Sequence, residues 1–179
     1  ASSGLHSNGY SLVRYVLLGE SGPGLGAHID ELGRTVGEEM LEPTRIYAKD
    51  CLALADAVDV HAFSHVTGGG LAANIARVLP TAMAADIDRS TWAVPAVFEL
   101  IGRTGNVERL ELERTFNMGI GMVAVLPQAE VPQALALLQE RGVPSWVCGS
   151  VRERRDGEHG DAEAKGGAGG AVTLVGSAR

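Results

Sequence analysis

His65-Val66-Thr67-Gly68-Gly69-Gly70-Leu71 is the stretch that decides the fold. Ahead of it, residues 60–66 alternate, with Val60, Ala62 and Ser64 on one face and His61, Phe63 and His65 on the other. That is a strand pattern. Behind it, Leu71 to Leu79 has helical spacing until Pro80. A turn requires one glycine; three in succession let a backbone approach a ligand closely and take positive φ, at an entropic cost. The loop therefore reads as a cradle. Asn74, one turn into the helix, is placed either to reach back into the same space or to sit solvated on the helix. The stretch is not a P-loop, because the spacing differs and no lysine follows the glycines.

Working outward, the spacing predicts helices over Tyr10–Gly19, a short turn over Thr35–Leu41, and helices over Ile46–Val58, from Pro95 to about Gly102, over Val107–Phe116 and over Val131–Arg141. Met118 to Leu126 reads as a central strand, Thr91 to Val94 as a short one. Ala171 to Val175 is expected to pair with a strand over Pro144–Val151. Residues 152–170 carry charges of both signs among Gly and Ala with no large apolar side chain, and read as a disordered loop. The expected fold is α+β: a mixed, largely antiparallel sheet with packed helices, formed by residues 1–151 plus 171–179, with two glycine loops meeting at one end.

The second glycine loop is Ser2-Ser3-Gly4-Leu5-His6-Ser7-Asn8-Gly9, which opens the Tyr10 helix. A helix N-terminus presents unpaired N–H groups and about half a positive charge, which suits phosphate or carboxylate. His6, Ser7 and Asn8 add donors aimed into the same space. The same residues also fit an ordinary Asn-Gly turn with a capping serine.

The 179 residues carry a net charge of −7, with 24 glycines and 45% hydrophobic residues. No basic stripe marks a nucleic-acid reader, and no apolar run reaches the roughly 18–20 residues of a membrane span. Two distant cysteines, Cys51 and Cys148, suit a reducing, cytoplasmic protein. The first residues lack a basic, apolar leader and an initiator Met, which reads as part of a longer polypeptide. His61 and His65 stand at i, i+4, yet alternate on a strand with no acidic partner, so no metal ligand is expected. Cys51 reads as a structural thiol, Met118 and Met122 as core. The pairs Glu38/Glu39 and Asp86/Asp88 read as solvated surface.

Taken together, Ser3-Gly4-Leu5-His6-Ser7-Asn8-Gly9-Tyr10, Pro43-Thr44-Arg45-Ile46-Tyr47, the His65–Leu71 stretch with Asn74, and Phe116-Asn117-Met118-Gly119-Ile120-Gly121-Met122 resemble the C-terminal half of the phosphoribosylformylglycinamidine cyclo-ligase family, the aminoimidazole ribonucleotide synthetases of purine biosynthesis. The resemblance spans residues 2–151 and the last strand. It implies an ATP- and Mg2+-dependent ring closure on formylglycinamidine ribonucleotide. It also implies an N-terminal half, absent from this sequence, that holds most of the ATP and Mg2+ groups and the homodimer interface. His6 would then be catalytic. Ser7, Asn8, Gly9, Thr67, Gly68, Gly69, Gly70 and Asn74 would bind substrate or phosphate. Formylglycinamidine synthetase and selenophosphate synthetase share the superfamily and set the alternative activities; a non-catalytic anion-binding domain is the third reading.

Overall fold

The structure is a computed structural model that describes residues 1–162, 164 and 166–177. Its helices are α1 (Tyr10–Leu18), α2 (Val36–Met40), α3 (Ala48–Ala57), α4 (Gly70–Val78), α5 (Ala96–Gly105), α6 (Arg109–Thr115) and α7 (Val131–Glu140). Its strands are β1 (His28–Ile29), β2 (Arg34–Thr35), β3 (Ala62–His65), β4 (Met83–Asp88), β5 (Met122–Val125), β6 (Gly149–Glu153) and β7 (Ala171–Val175). The architecture is α+β with small, mostly antiparallel sheets. β1 pairs with β2 and β3 with β5, both antiparallel. In a third sheet β4 lies between β6, antiparallel to it, and β7, parallel to it.

Each helix buries the stripe its sequence supplies. α1 turns Val13, Val16 and Leu17 onto Phe98, Ile101 and Phe116 in an all-helical core. α4 lays Leu71, Ile75 and Ala76 over Ala85, Ile87 and Val172 of the three-stranded sheet. α3 and α7 cover β3 and β5 through Leu54, Val58 and Ala134. α2 starts with a reciprocal cap, Thr35 Oγ1 accepting from Glu38 N while Glu38 accepts from Thr35 N.

Several expectations are corrected. The central strand β4 has no counterpart among the predicted elements, because Met83-Ala84-Ala85-Asp86-Ile87-Asp88 is rich in residues that strands disfavour. Tertiary packing overrides that preference. Ala84 and Ala85 are small enough to be buried, and Asp86 is gripped by Nε and Nη2 of Arg152 at 2.8 and 3.1 Å. Asp88 accepts from Ser90 N and starts a 3-10 turn over Arg89–Thr91, where the sequence suggests a short strand. With β4 in place, β7 pairs with β4 and not with the 144–151 segment. β5 begins only at Met122, since Met118 and Gly119 take positive φ and turn the chain. In α3 the inward stripe is Tyr47, Cys51, Leu54 and Val58, leaving Ile46 and Leu52 exposed.

Glu39 is not solvated. It is 6% exposed and takes two bonds from Arg34 at 2.7 Å. In the 152–170 segment β6 runs on to Glu153, and several of the charged side chains beyond it are hydrogen-bonded. Glu158 bonds Arg152, which with the Arg155 N–H holds its carboxyl down to about 2. Arg154 donates to the Glu158 carbonyl and Asp161 accepts from Leu174 N. Glu163 and Lys165 of that segment lie outside the described residues.

Candidate functional site

The two glycine loops meet. Asn8 Oδ1 accepts a hydrogen bond from Gly68 N at 3.0 Å, joining residues sixty positions apart. The amide that the sequence offered as a donor thus acts through its oxygen. Beside this junction the His6, Tyr47 and His65 rings form a triangle with centroids 6.0 Å (His6–Tyr47), 6.2 Å (His6–His65) and 5.7 Å (Tyr47–His65) apart.

His6 sits in the left-handed region at φ 57 and is only 4% exposed. Ser3 N donates to its Nε2 at 3.2 Å, which assigns the proton to Nδ1. Nδ1 is buried with no hydrogen-bond partner among the described residues. A buried donor left so costs about 1–3 kcal/mol unless a ligand or solvent meets it. Burial first, then the positive charges of His65, Arg45 and the N-terminus, push the His6 imidazole below its ordinary range. His6 is therefore a neutral hydrogen-bond donor at pH 7. Tyr47 is pushed up to about 12, chiefly by burial, and keeps its proton, which it donates to Ala1 O at 3.2 Å.

The triple-glycine loop is held from inside by Asn74, which is fully buried. Its Nδ2 donates to the carbonyls of Gly70 at 2.7 Å and Thr67 at 3.1 Å, and its Oδ1 accepts from Thr67 Oγ1 at 3.1 Å. Ser64 Oγ donates to the Asn74 carbonyl at 2.7 Å, tying β3 to α4. Asn74 thus shapes the loop, and its side chain is spent on doing so. Replacing it with alanine strands two carbonyls and a hydroxyl. We expect Asn74→Ala to lose about 2–3 kcal/mol of stability, read as a lowered urea midpoint at unchanged slope.

The other predicted residues divide. Gly9 caps α1 at φ 71, and a Cβ there would lie 2.3 Å from the Phe116 ring, so its role is close packing. Ser7 is exposed, with its Oγ 3.4 Å from Thr44 Oγ1. Gly69, at φ 101, turns the chain into α4. Thr67 and Gly68 stand at the junction itself.

Sequence reasoning left out Arg45, Tyr47, His65 and Asn117 as site residues. Asn117 donates to Gly4 O at 2.8 Å and accepts from Gly119 N at 2.8 Å, fixing the first loop from the far side. Gly121 is the only residue type that fits under Tyr47, because a Cβ there would lie 1.7 Å from the phenol oxygen. Their signal was present in three separate stretches of sequence, and only the fold brings these to the first glycine loop.

The pH dependence follows from His6. The unfolded chain takes up its proton near pH 6.5, whereas the folded one resists it, so that part of stability is present above the unfolded value and is lost as pH falls. Between about pH 7.5 and about 5.5, the urea midpoint of His6→Gln should fall less steeply than that of the parent. Equal slopes would show that His6 is not held neutral by the fold.

This arrangement defines an α+β domain in which a neutral histidine and an arginine stand beside the meeting point of two glycine loops. The family model for AIR synthase related protein, C-terminal domain, matches residues 1–161, and the chain belongs to that family. A Streptomyces fradiae protein, provisionally named as a phosphoribosylformylglycinamidine cyclo-ligase, is 58% identical, covering 92% of this chain and 91% of its own length. The phosphoribosylformylglycinamidine cyclo-ligase of Anaeromyxobacter sp. is 53% identical over 84% of this chain, and that of Brevibacillus brevis 45% over 85%. The chain spans only 44% of the length of each of these two.

Proposed function

We propose that the chain is the substrate-side, C-terminal half of an ATP-dependent cyclo-ligase that closes formylglycinamidine ribonucleotide to aminoimidazole ribonucleotide in the cytoplasm. The observation that carries the reading is the Asn8–Gly68 junction beside the partnerless Nδ1–H of His6. The names of the relatives supply the reaction.

The residues fit a phosphoryl group. Arg45 supplies positive charge beside His6, and the first N–H groups of α4 and the helix dipole favour an anion. They do not fit Mg2+: no group of three or more His, Cys, Asp or Glu that could hold a metal occurs among the described residues. The divalent ion belongs in this reading to the N-terminal half, as does the homodimer interface. When bound there, ATP supplies the phosphoryl group that turns the formyl oxygen into a leaving group.

This chain's part is positioning and charge stabilisation. His6 Nδ1–H donates to the oxygen that gains charge, the kind of pre-aimed donor worth most in a water-poor site. Asn8 and Gly68 keep the loops at a fixed separation, so a substrate spanning both is held in one pose. Tyr47 backs the imidazole and remains a neutral phenol. Neither group need change protonation before the ring closes.

Calorimetric titration tests this. Formylglycinamidine ribonucleotide is titrated into the chain mixed with the N-terminal half of the Anaeromyxobacter sp. relative, with His6→Ala in parallel. Saturable binding that weakens in the variant is expected. Undiminished binding in His6→Ala would remove His6 from the site.

A further inference from the structure

β3–β5 and β6–β4–β7 are separate sheets, and a cavity of about 460 Å3 lies between the edges of β5 and β6 that have no strand partner among the described residues. Both strands line it with consecutive residues, Met122 to Val125 and Gly149 to Val151. Consecutive side chains point to opposite faces, so the cavity lies in the plane of the sheets, off their edges. Ile75 and Ile87 bound it on one face, Leu54 and Leu138 on the other.

The backbone directions can be read. Val125 O accepts from His61 N and Gly121 O from Val66 N, so the polar groups of Met122 and Ala124 point away from β3, toward the cavity. Cys148 O accepts from Asp88 N and Arg154 N donates to Ala82 O, so those of Gly149 and Val151 point away from β4, toward the same space. Two rows of strand donors and acceptors thus face one another across an apolar gap, an arrangement that one added strand would pair on both sides.

Residues 1 and 2 bridge the mouth of that gap. Ser2 N donates to Gly119 O, ahead of β5, and Ala1 N donates to Pro144 O, ahead of β6. Polypeptide reaching Ala1 through the cavity would come from the far ends of both strands, antiparallel to each. The relatives that exceed this domain have more than half their length outside the match, and the matched family is a C-terminal domain.

We infer that the cavity seats an extended apolar strand, contributed by the part of the longer relatives that precedes this domain. It runs antiparallel to β5 and β6 and joins the two sheets in the order β3–β5–strand–β6–β4–β7. Its successive side chains pack alternately on Ile75 and Ile87 and on Leu54 and Leu138, which calls for about five apolar residues without proline. The inference rests on the fold and not on the chemistry proposed above.

The test fuses ahead of Ala1 the roughly 12 residues that precede the matched segment in the Anaeromyxobacter sp. relative, a length that holds one typical strand. A Gly-Ser extension of equal length is the control. Cys51 and Cys148 line the cavity and report its occupancy through maleimide labelling. With the native extension, hydrogen exchange at Met122, Ala124, Gly149 and Val151 and labelling of Cys148 are expected to slow at least about tenfold, while the Gly-Ser chain behaves as the parent. No slowing with the native extension, or equal slowing with Gly-Ser, overturns the inference. If the fusion fails to fold, the same residues are added as a free peptide. Saturable slowing of Cys148 labelling then supports the proposal, and none at millimolar peptide overturns it.

Discussion

Gly70→Ala is expected to destabilise the protein by about 4 kcal/mol, enough to leave much of it unfolded at 37 °C. Gly70 opens α4 at φ 74, and a Cβ there would lie 1.8 Å from the Glu113 carbonyl oxygen and 2.9 Å from its carbon. Both contacts are with backbone, so no side chain can swing aside. α4 would have to move from α6, pulling Leu71 and Ile75 off β4 and β7. Gly33→Ala is the matched control: φ is 66 there but nothing lies within 4 Å, so only the conformational penalty of about 1 kcal/mol is expected. Urea denaturation of the two variants against the parent checks the difference. Equal losses would show that α4 does not approach α6 as closely as described.

His6→Ala is expected to lower turnover at least about tenfold in an enzyme reconstituted from this chain and an N-terminal half, a loss of about 1.4 kcal/mol or more of transition-state stabilisation. The alanine removes the Nδ1–H donor and also frees Ser3 N, which the imidazole accepts from. A second variant separates these effects. His6→Gln retains a polar side chain that can accept from Ser3 N. If it restores the fold but not the rate, the donor at Nδ1 is what catalysis needs. An unchanged kcat in His6→Ala would remove the residue from the reaction.

Much of this was legible in the sequence where the signal is local. α1 reads from Val13, Val16 and Leu17 and its stop at Gly19, and the strand–glycine–helix unit reads from Ala62 through Val78. β4 was not legible, because nothing within Met83–Asp88 shows that Arg152, 66 residues further along the chain, would neutralise Asp86. Without β4 the partner of β7 could not be placed either. Glu39 looked like any surface carboxylate for the same reason, since Arg34 reaches it only after β2 and α2 have formed.

The site shows the same limit. His6, Asn8 and the Thr67–Gly70 loop were readable as anion-friendly groups, and the structure brings Asn8 and Gly68 together. The division of labour among them was not readable. Whether Asn74 faced the cleft or served the loop depended on carbonyl positions that sequence does not supply, and three hydrogen bonds place it in the loop. Arg45 and Tyr47 lie some forty residues from His6 and reach it only through the packing of the segment before α3.

The central claim is that this domain presents formylglycinamidine ribonucleotide for ATP-driven ring closure. The most direct measurement is ADP release by the chain combined with an N-terminal half from the Anaeromyxobacter sp. relative. Formylglycinamidine ribonucleotide, formylglycinamide ribonucleotide with glutamine, and selenide are offered separately. The account predicts ADP release driven by formylglycinamidine ribonucleotide alone, with aminoimidazole ribonucleotide formed in equal amount. ADP release driven by either of the others, or by none while the two halves associate, would contradict it.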